Sequence, residues 1–186
     1  MSVALWPDHL VTLDEWSALP EDTTHRFELV EGTLQVSPRP SVGHRWALSE
    51  LSYQLRGQLP DHLRALPEVE VVLFDTHPPT VRVPDLIIVS SAAPMDAARC
   101  AAAAVRVACE IVSQGSVRTD RITKLAEYAD AGIQHYWLVD LTTGGPSVEI
   151  YQRHGAGYDK ITAHHEGTVA VTVPAPLTVD LSALTG

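Results

Sequence analysis

The sequence is poor in cysteine, in positive charge and in long apolar runs, and each shortage excludes something. Cys100 and Cys109 are the only cysteines among 186 residues. Two thiols, one of them inside a strand-like run, give no disulfide framework, so the expected compartment is a reducing, cytoplasmic one. No apolar run approaches the ~20 residues that a membrane-spanning helix needs, and no membrane partner is expected. The opening MSVALWPDHLVTLDEW has no basic segment and carries acids early, unlike a secretory leader. Thirteen Lys and Arg against 23 Asp and Glu leave a net charge of −10. Duplex affinity draws largely on Lys and Arg contacts to phosphates, so any nucleic-acid contact is expected to be local, and no basic stripe stands out. Gly-rich phosphate loops and the G-x-S-x-G elbow are missing. None of the nine histidines shows the HxxxH or HExxH spacing of a zinc site.

What is there suits one globular domain. Hydrophobic residues make up 45% and charged residues 19% of the chain, enough for a sizeable core. Residues 12–19 read as a short helix, with Thr12 and Glu15 at capping-box spacing. Residues 26–37 alternate around Glu31-Gly32 as a hairpin. After the break at Pro38-Arg39-Pro40, Ser41 caps a helix to about Leu59, with His44, Leu48, Leu51 and Leu55 on one stripe. Three strands follow: Val69–Phe74, Val81–Ser90 and Val105–Ser113. The last two are nearly unbroken apolar runs, as in strands buried on both faces. Residues 91–104 read as a loop with a short helix. A helix over 118–130 ends at Gly132, and 133–141 is a strand with Asp140 near its end. Residues 147–154 and 158–164 pair as a hairpin after a turn at Gly144-Gly145-Pro146. The tail over 169–184 reads as a strand, a proline break and a closing segment. The order predicts an α/β fold with a central mixed sheet flanked by helices.

Two carboxylates interrupt the apolar runs. Asp85 shares a face with Val83 and Ile87, and Glu110 with Ala108 and Val112, because side chains alternate along a strand. On neighbouring strands they would converge, and with a main-chain carbonyl such as that of Ile111 they would offer hard oxygen ligands to Mg²⁺. The plainer reading is that each ends a strand near the surface or pairs with an arginine such as Arg82 or Arg106. On the helix over 118–130, Ile122, Leu125, Ala126 and Ala129 form the apolar face. That phase sends Asp120, Lys124 and Glu127 to solvent and leaves Tyr128 at the border. Asp120–Lys124 would then be an exposed i,i+4 pair, worth ~0.2–0.5 kcal/mol. A long lysine stem beside Tyr128 could instead reach round the flank. His44 reads either as a histidine at the core edge or as a functional residue.

Taken together, PDLIIV, EIVSQGS, D-x-x-x-K-x-x-x-Y at 120–128, AGIQHYWLVD at 131–140 and RFELVEGTLQVSPRPSVGH at 26–44 resemble the Uma-two family of inferred restriction endonucleases, over about residues 10–155. The resemblance implies a restriction-endonuclease-like, PD-(D/E)xK fold in a single domain. An N-terminal helix and hairpin (10–40), a nuclease core (41–141) and a C-terminal β extension (142–186) would compose it. It implies Asp85 and Glu110 as metal-binding, catalytic carboxylates for Mg²⁺ or Mn²⁺. It implies Lys124 as the catalytic lysine, moved from the slot that Val112 fills, and DNA as substrate. His44 and Glu28 match recurrent positions and become candidates for supporting roles. Glu31 and Gln114 depart from the pattern, and Gln114 bears on the loop that leads into the lysine helix. A homodimer would cover the apolar hairpin edge at 147–164 and bring two sites to two strands. The alternatives are an inactive module on a nuclease fold, which the acidic charge favours, and a small-molecule phosphodiesterase.

Overall fold

The capping box at Thr12 forms. In the computed structural model, which describes residues 7–20, 25–37, 39–142 and 144–186, the Thr12 hydroxyl accepts the Glu15 N–H at 3.2 Å. Glu15 in turn takes the Thr12 N–H at 2.8 Å. Helix α1 (Leu13–Ala18) follows and buries Trp16. Strands β1 (Arg26–Val30) and β2 (Thr33–Ser37) pair as the expected hairpin. Its turn residues Glu31 and Gly32 both have positive φ, 47° and 73°. Gly32 is constrained twice, since a Cβ there would lie 2.9 Å from Leu10 Cβ. Pro38, the first residue of the expected break, lies outside the described residues, as do Met1–Trp6 of the opening segment, which was expected not to be a secretory leader. Helix α2 (Val42–Arg56) begins at the Ser41 cap, whose hydroxyl accepts the His44 N–H at 3.2 Å. It ends at Gly57, earlier than Leu59.

The expected strand over 81–90 is two strands in two sheets. β5 (Thr80–Arg82) belongs to one and β6 (Leu86–Ser90) to the other. Pro84 has no N–H for a ladder, and the Val83 N–H is diverted to the Glu28 carboxylate at 2.9 Å. The chain therefore crosses between sheets at Val83-Pro84-Asp85. Two strands were not expected: β3 (Leu63–Pro67), and the short β7 (Cys100–Ala101), which runs parallel to β4 (Val71–Phe74). β8 (Val105–Val112) is the anticipated third apolar run. A π-turn (Thr119–Thr123) and α3 (Lys124–Asp130) replace the continuous helix over 118–130. Then come β9 (His135–Asp140), the hairpin β10 (Ser147–His154) and β11 (Gly157–His165), and a second hairpin, β12 (Thr168–Val171) with β13 (Leu177–Asp180).

The larger sheet runs β11-β10-β9-β8-β6-β3 and is mixed, with β8–β9 parallel and its other pairs antiparallel. The smaller runs β2-β1-β5-β4-β7. Helix α2 packs Ala47, Leu48, Leu51 and Leu55 on one face of the larger sheet, against Leu86, Ile88, Val107 and Cys109. On the opposite face Ile87, Val89, Ala108 and Val112 meet Tyr128 of α3 and Tyr136. The second hairpin closes over α2. Gln54 and Gln58 each bond the main chain of β13 through both amide atoms, at Asp180 and Thr178. Among the described residues no helix is long and apolar enough to cross a membrane.

Candidate active site

The chain crossing between the two sheets sets Asp85 at the mouth of β6. Leu86 pairs with Cys109 in the antiparallel β6–β8 register, so Asp85 falls opposite Glu110. Both project on the α3 side of the sheet, the side of Ile87 and Ala108. Both are buried, at 3% and 2% exposure. The structure thus brings together the two carboxylates singled out in the sequence, and neither reaches the surface. The partner arginines suggested for them are elsewhere: Arg82 joins Glu28 and Glu127, and Arg106 is exposed.

Lys124 joins the same cluster, against the expected helix phase. Its Nζ lies 3.0 Å from Glu110, 3.4 Å from Asp120 and 3.8 Å from Glu28. The face that packs inward is Asp120, Lys124 and Tyr128, while Ile122 is 61% exposed. The π-turn accounts for part of the change. It inserts a wider turn just before Lys124 and so re-aims the side chains on either side. The Tyr136 hydroxyl donates to the Asp120 carbonyl at 2.8 Å and pins this turn. The other part is chemical: the buried face carries charge, which an apolar-inward reading assigns to solvent. The Tyr128 hydroxyl, one helical turn on from Lys124, donates to Glu110 Oε1 at 2.6 Å.

The supporting candidates divide. His44, from the first turn of α2, places Nε2 3.2 Å from Asp85 Oδ2. Glu28, from the hairpin, accepts from Arg82 at 2.9 Å and from the Val83 N–H. Gln114 is exposed in the turn after β8 and stands apart from the cluster. The Ile111 main chain does meet Asp85, but through its N–H, which donates to Oδ2 at 2.7 Å. Arg26, which no sequence pattern singles out, bonds Asp85 Oδ1 at 2.7 Å and also the Val83 carbonyl. Arg82 makes a two-pronged contact with Glu127, at 2.7 and 2.8 Å.

Electrostatics separate the acids. Burial opposes charge on Asp85, yet the His44 hydrogen bond and the Arg26 charge hold its pKa well below the usual carboxylate range. Burial dominates at Glu110, with Asp85 and Asp120 adding repulsion, and its pKa is pushed up to about 8 despite Lys124. Asp120 is raised by burial and by Asp85, against the pull of Lys124 and Ser116, and its Oδ1 accepts no hydrogen bond. Burial works against the Lys124 ammonium, but Glu110, Glu28, Asp120 and Asp85 overcome it and raise its pKa. Glu28, Asp85, Glu110, Asp120 and Glu127 are five carboxylates; Arg26, Arg82 and Lys124 are three permanent cations. Ionised in full, the acids would exceed these cations by two, but burial pushes the Glu110 pKa up to about 8 and the Asp85 hydrogen bond raises that of His44 against burial, so protons make up the balance near neutral pH. A divalent cation binding there would displace such protons. Hard carboxylate oxygens fit Mg²⁺ or Mn²⁺ by chemistry. Among the described residues no three acid, imidazole or thiol groups are already gathered at ligand spacing; Lys124 and Arg26 lie among the carboxylates instead.

The fold recurs in a solved structure, that of "a putative nuclease belonging to DUF820" from Anabaena variabilis ATCC 29413. The TM-score is 0.73 at 24% identity, over 95% of this chain and 99% of that one, a likeness of fold. Among curated proteins none matches. The model of the Uma2 family, described as "Putative restriction endonuclease", matches residues 13–184. With that match running almost from end to end, the chain belongs to the Uma2 family.

Proposed function

We propose that the protein is a metal-dependent endonuclease that hydrolyses DNA phosphodiester bonds, with Asp85 and Glu110 holding Mg²⁺ or Mn²⁺. The observation that carries this reading is the meeting of buried Asp85 and Glu110 on adjacent strands, with the Lys124 ammonium 3.0 Å from Glu110. Burying such groups costs several kcal/mol, and strongly perturbed titrating groups of this kind gather at functional sites. Family membership agrees with the reaction class.

The cluster assigns each residue a task. Asp85, kept ionised by Arg26 and His44, is the standing anionic ligand. Glu110 is the acid whose charge the fold stabilises least, so it gains most from a cation. Asp120, whose Oδ1 lies 3.4 Å from the Lys124 ammonium, helps hold that lysine in place. A bound divalent cation would supply a water of lowered pKa and offset charge growing on the phosphate. Lys124 keeps its proton at Nζ through the neutral range, so it acts as fixed positive charge towards the phosphate rather than as a base. Tyr128 orients Glu110, and the Arg82–Glu28–Glu127 network holds the floor beneath Lys124.

The test is cleavage of supercoiled plasmid and of single-stranded DNA, with and without Mg²⁺, by the wild type, Asp85→Ala and Lys124→Ala. Mg²⁺-dependent cleavage by the wild type alone is expected. Equal cleavage by all three would mean a contaminant and overturn the reading. A second reading, an inactive module on the nuclease fold, is favoured by one observation: both oxygens of Asp85 already accept hydrogen bonds. It predicts no cleavage by any of the three.

A further inference from the structure

Helix α2 leaves one flank open beside the acidic cluster. Its inner face is packed on the sheet, and Gln54, Gln58 and Trp46 tie another side to the C-terminal hairpin. Arg45, Ser49, Ser52 and Arg56 recur every three to four residues and form a single stripe on the remaining flank. Tyr53 stands beside that stripe at 77% exposure. These residues line a groove of about 850 Å³ whose opposite wall includes Pro67 and Glu68.

Three properties set this groove apart. First, the guanidinium groups of Arg45 and Arg56 have no ion pair or hydrogen bond among the described residues, as is true of the exposed Arg64, Arg106 and Arg118, but here two such groups line one groove. Second, the hydroxyl of Ser52, a residue of this lining, is buried and has no hydrogen-bond partner. Third, one end of the groove adjoins Asp85 through both walls, although no cluster residue lines it. Arg45 follows His44, whose ring meets Asp85, and the Glu68 N–H donates to the Asp85 carbonyl at 3.0 Å. Two free cations against one glutamate make it locally positive in a chain of net charge −10.

We propose that this groove holds an unpaired DNA strand and leads it to the cluster. Arg45 and Arg56 contact two phosphates that are not adjacent along the strand, and Tyr53 stacks on a base between them. The arginines are eleven residues apart, about 16 Å along the helix axis at ~1.5 Å per residue. A narrow track of cations with one exposed aromatic ring suits single-strand binding, where stacking supplements phosphate contacts. It suits a wide duplex footprint poorly, because the chain as a whole carries a net charge of −10. The proposal rests on the nuclease reading for the strand's destination, but its test does not involve cleavage.

The test is fluorescence anisotropy of a labelled oligothymidylate in EDTA at low salt. Tyr53→Ala should weaken binding about 5- to 150-fold, the range for loss of one stacked base, and Tyr53→Phe should retain it. In Arg45→Ala/Arg56→Ala the slope of log K against log salt should flatten by ~1.4, at ~0.7 per single-strand phosphate contact. Arg64→Ala, exposed on β3, should match the wild type. Absence of binding by the wild type overturns the proposal. So do an unchanged affinity and slope in the groove variants, an equal loss in Arg64→Ala, and tighter binding of duplex than of single strand. Wild type that binds through the groove yet never cleaves would sink the nuclease reading alone.

Discussion

Replacing Lys124 with methionine should destabilise the protein, and more so as pH rises. The ammonium lies 3.0 Å from Glu110, 3.4 Å from Asp120 and 3.8 Å from Glu28, all buried. Methionine fills the stem's volume but strands the three acids. Removing one partner of a buried ion pair costs ~3–5 kcal/mol, a large share of a total on the order of 5–15 kcal/mol. Proton uptake limits the loss. Glu110 already has its pKa pushed up to about 8 in the wild type, and without Lys124 it and Asp120 move higher. An acid with a raised pKa loses nothing below about pH 4, and the wild type shares the Glu110 loss up to about pH 8. Between those values the gap comes from Glu28 and Asp120, stranded without the ammonium, and Glu110 adds to it only above about pH 8. The variant should therefore match the wild type closely near pH 4, fall ~3 kcal/mol behind at pH 7, and approach ~5 kcal/mol at pH 9. At ~2–4 °C per kcal/mol for a chain of this size, the melting temperature at pH 7 should drop by about 6–12 °C. Urea denaturation at the three pH values reads this directly. A loss under ~1 kcal/mol at pH 9, or one that shrinks as pH rises, would refute the reasoning, because Lys124 would then not be neutralising the cluster.

Three smaller predictions follow the same logic. Burial opposes charge on Glu149, but Lys160, Tyr151 and Arg121 bring its pKa down to about 2. A depressed acid stabilises above its unfolded pKa and loses that contribution as pH falls. Glu149→Gln should thus cost ~1 kcal/mol at pH 7 after allowance for solvent screening, and the two proteins should converge between about pH 4.5 and 2 in acid-denaturation curves. Tyr128→Phe deletes the 2.6 Å donor to Glu110, but Lys124 still faces the same oxygen at 3.0 Å, so stability should fall by ~0.5–1.5 kcal/mol, the net worth of one hydrogen bond, with no change in circular dichroism. Ser41→Ala removes the α2 cap and should cost ~1 kcal/mol, seen as a melting temperature lower by about 2–4 °C.

The sequence made some of this legible for clear reasons. Asp85 and Glu110 could be placed opposite each other because strands alternate with a period of two and each acid interrupts an apolar run. The capping box at Thr12 and the turn at Glu31-Gly32 rest on local contacts alone. What failed depended on contacts distant in sequence. The run over 81–90 looks continuous, yet Pro84 and a carboxylate from the hairpin divide it between two sheets. β7 exists only through its parallel pairing with β4. The phase of the lysine helix was misread because apolar residues were assumed to face inward, whereas the interior there is an ionic cluster that takes Asp120, Lys124 and Tyr128. The signal was available: D-x-x-x-K-x-x-x-Y places all three on one helical face. The open arginine flank of α2 escaped because Arg45 and Arg56 are eleven residues apart and count as a stripe only once the helix and its covered sides are known.

The most direct measurement of the central claim is a titration of the purified protein with Mn²⁺, read by the loss of the free-ion electron paramagnetic resonance signal. One tightly held ion per chain is predicted for the wild type, with binding abolished or severely weakened in both Asp85→Asn and Glu110→Gln. Failure of the wild type to retain the ion, or retention by both variants at wild-type affinity, would contradict the account.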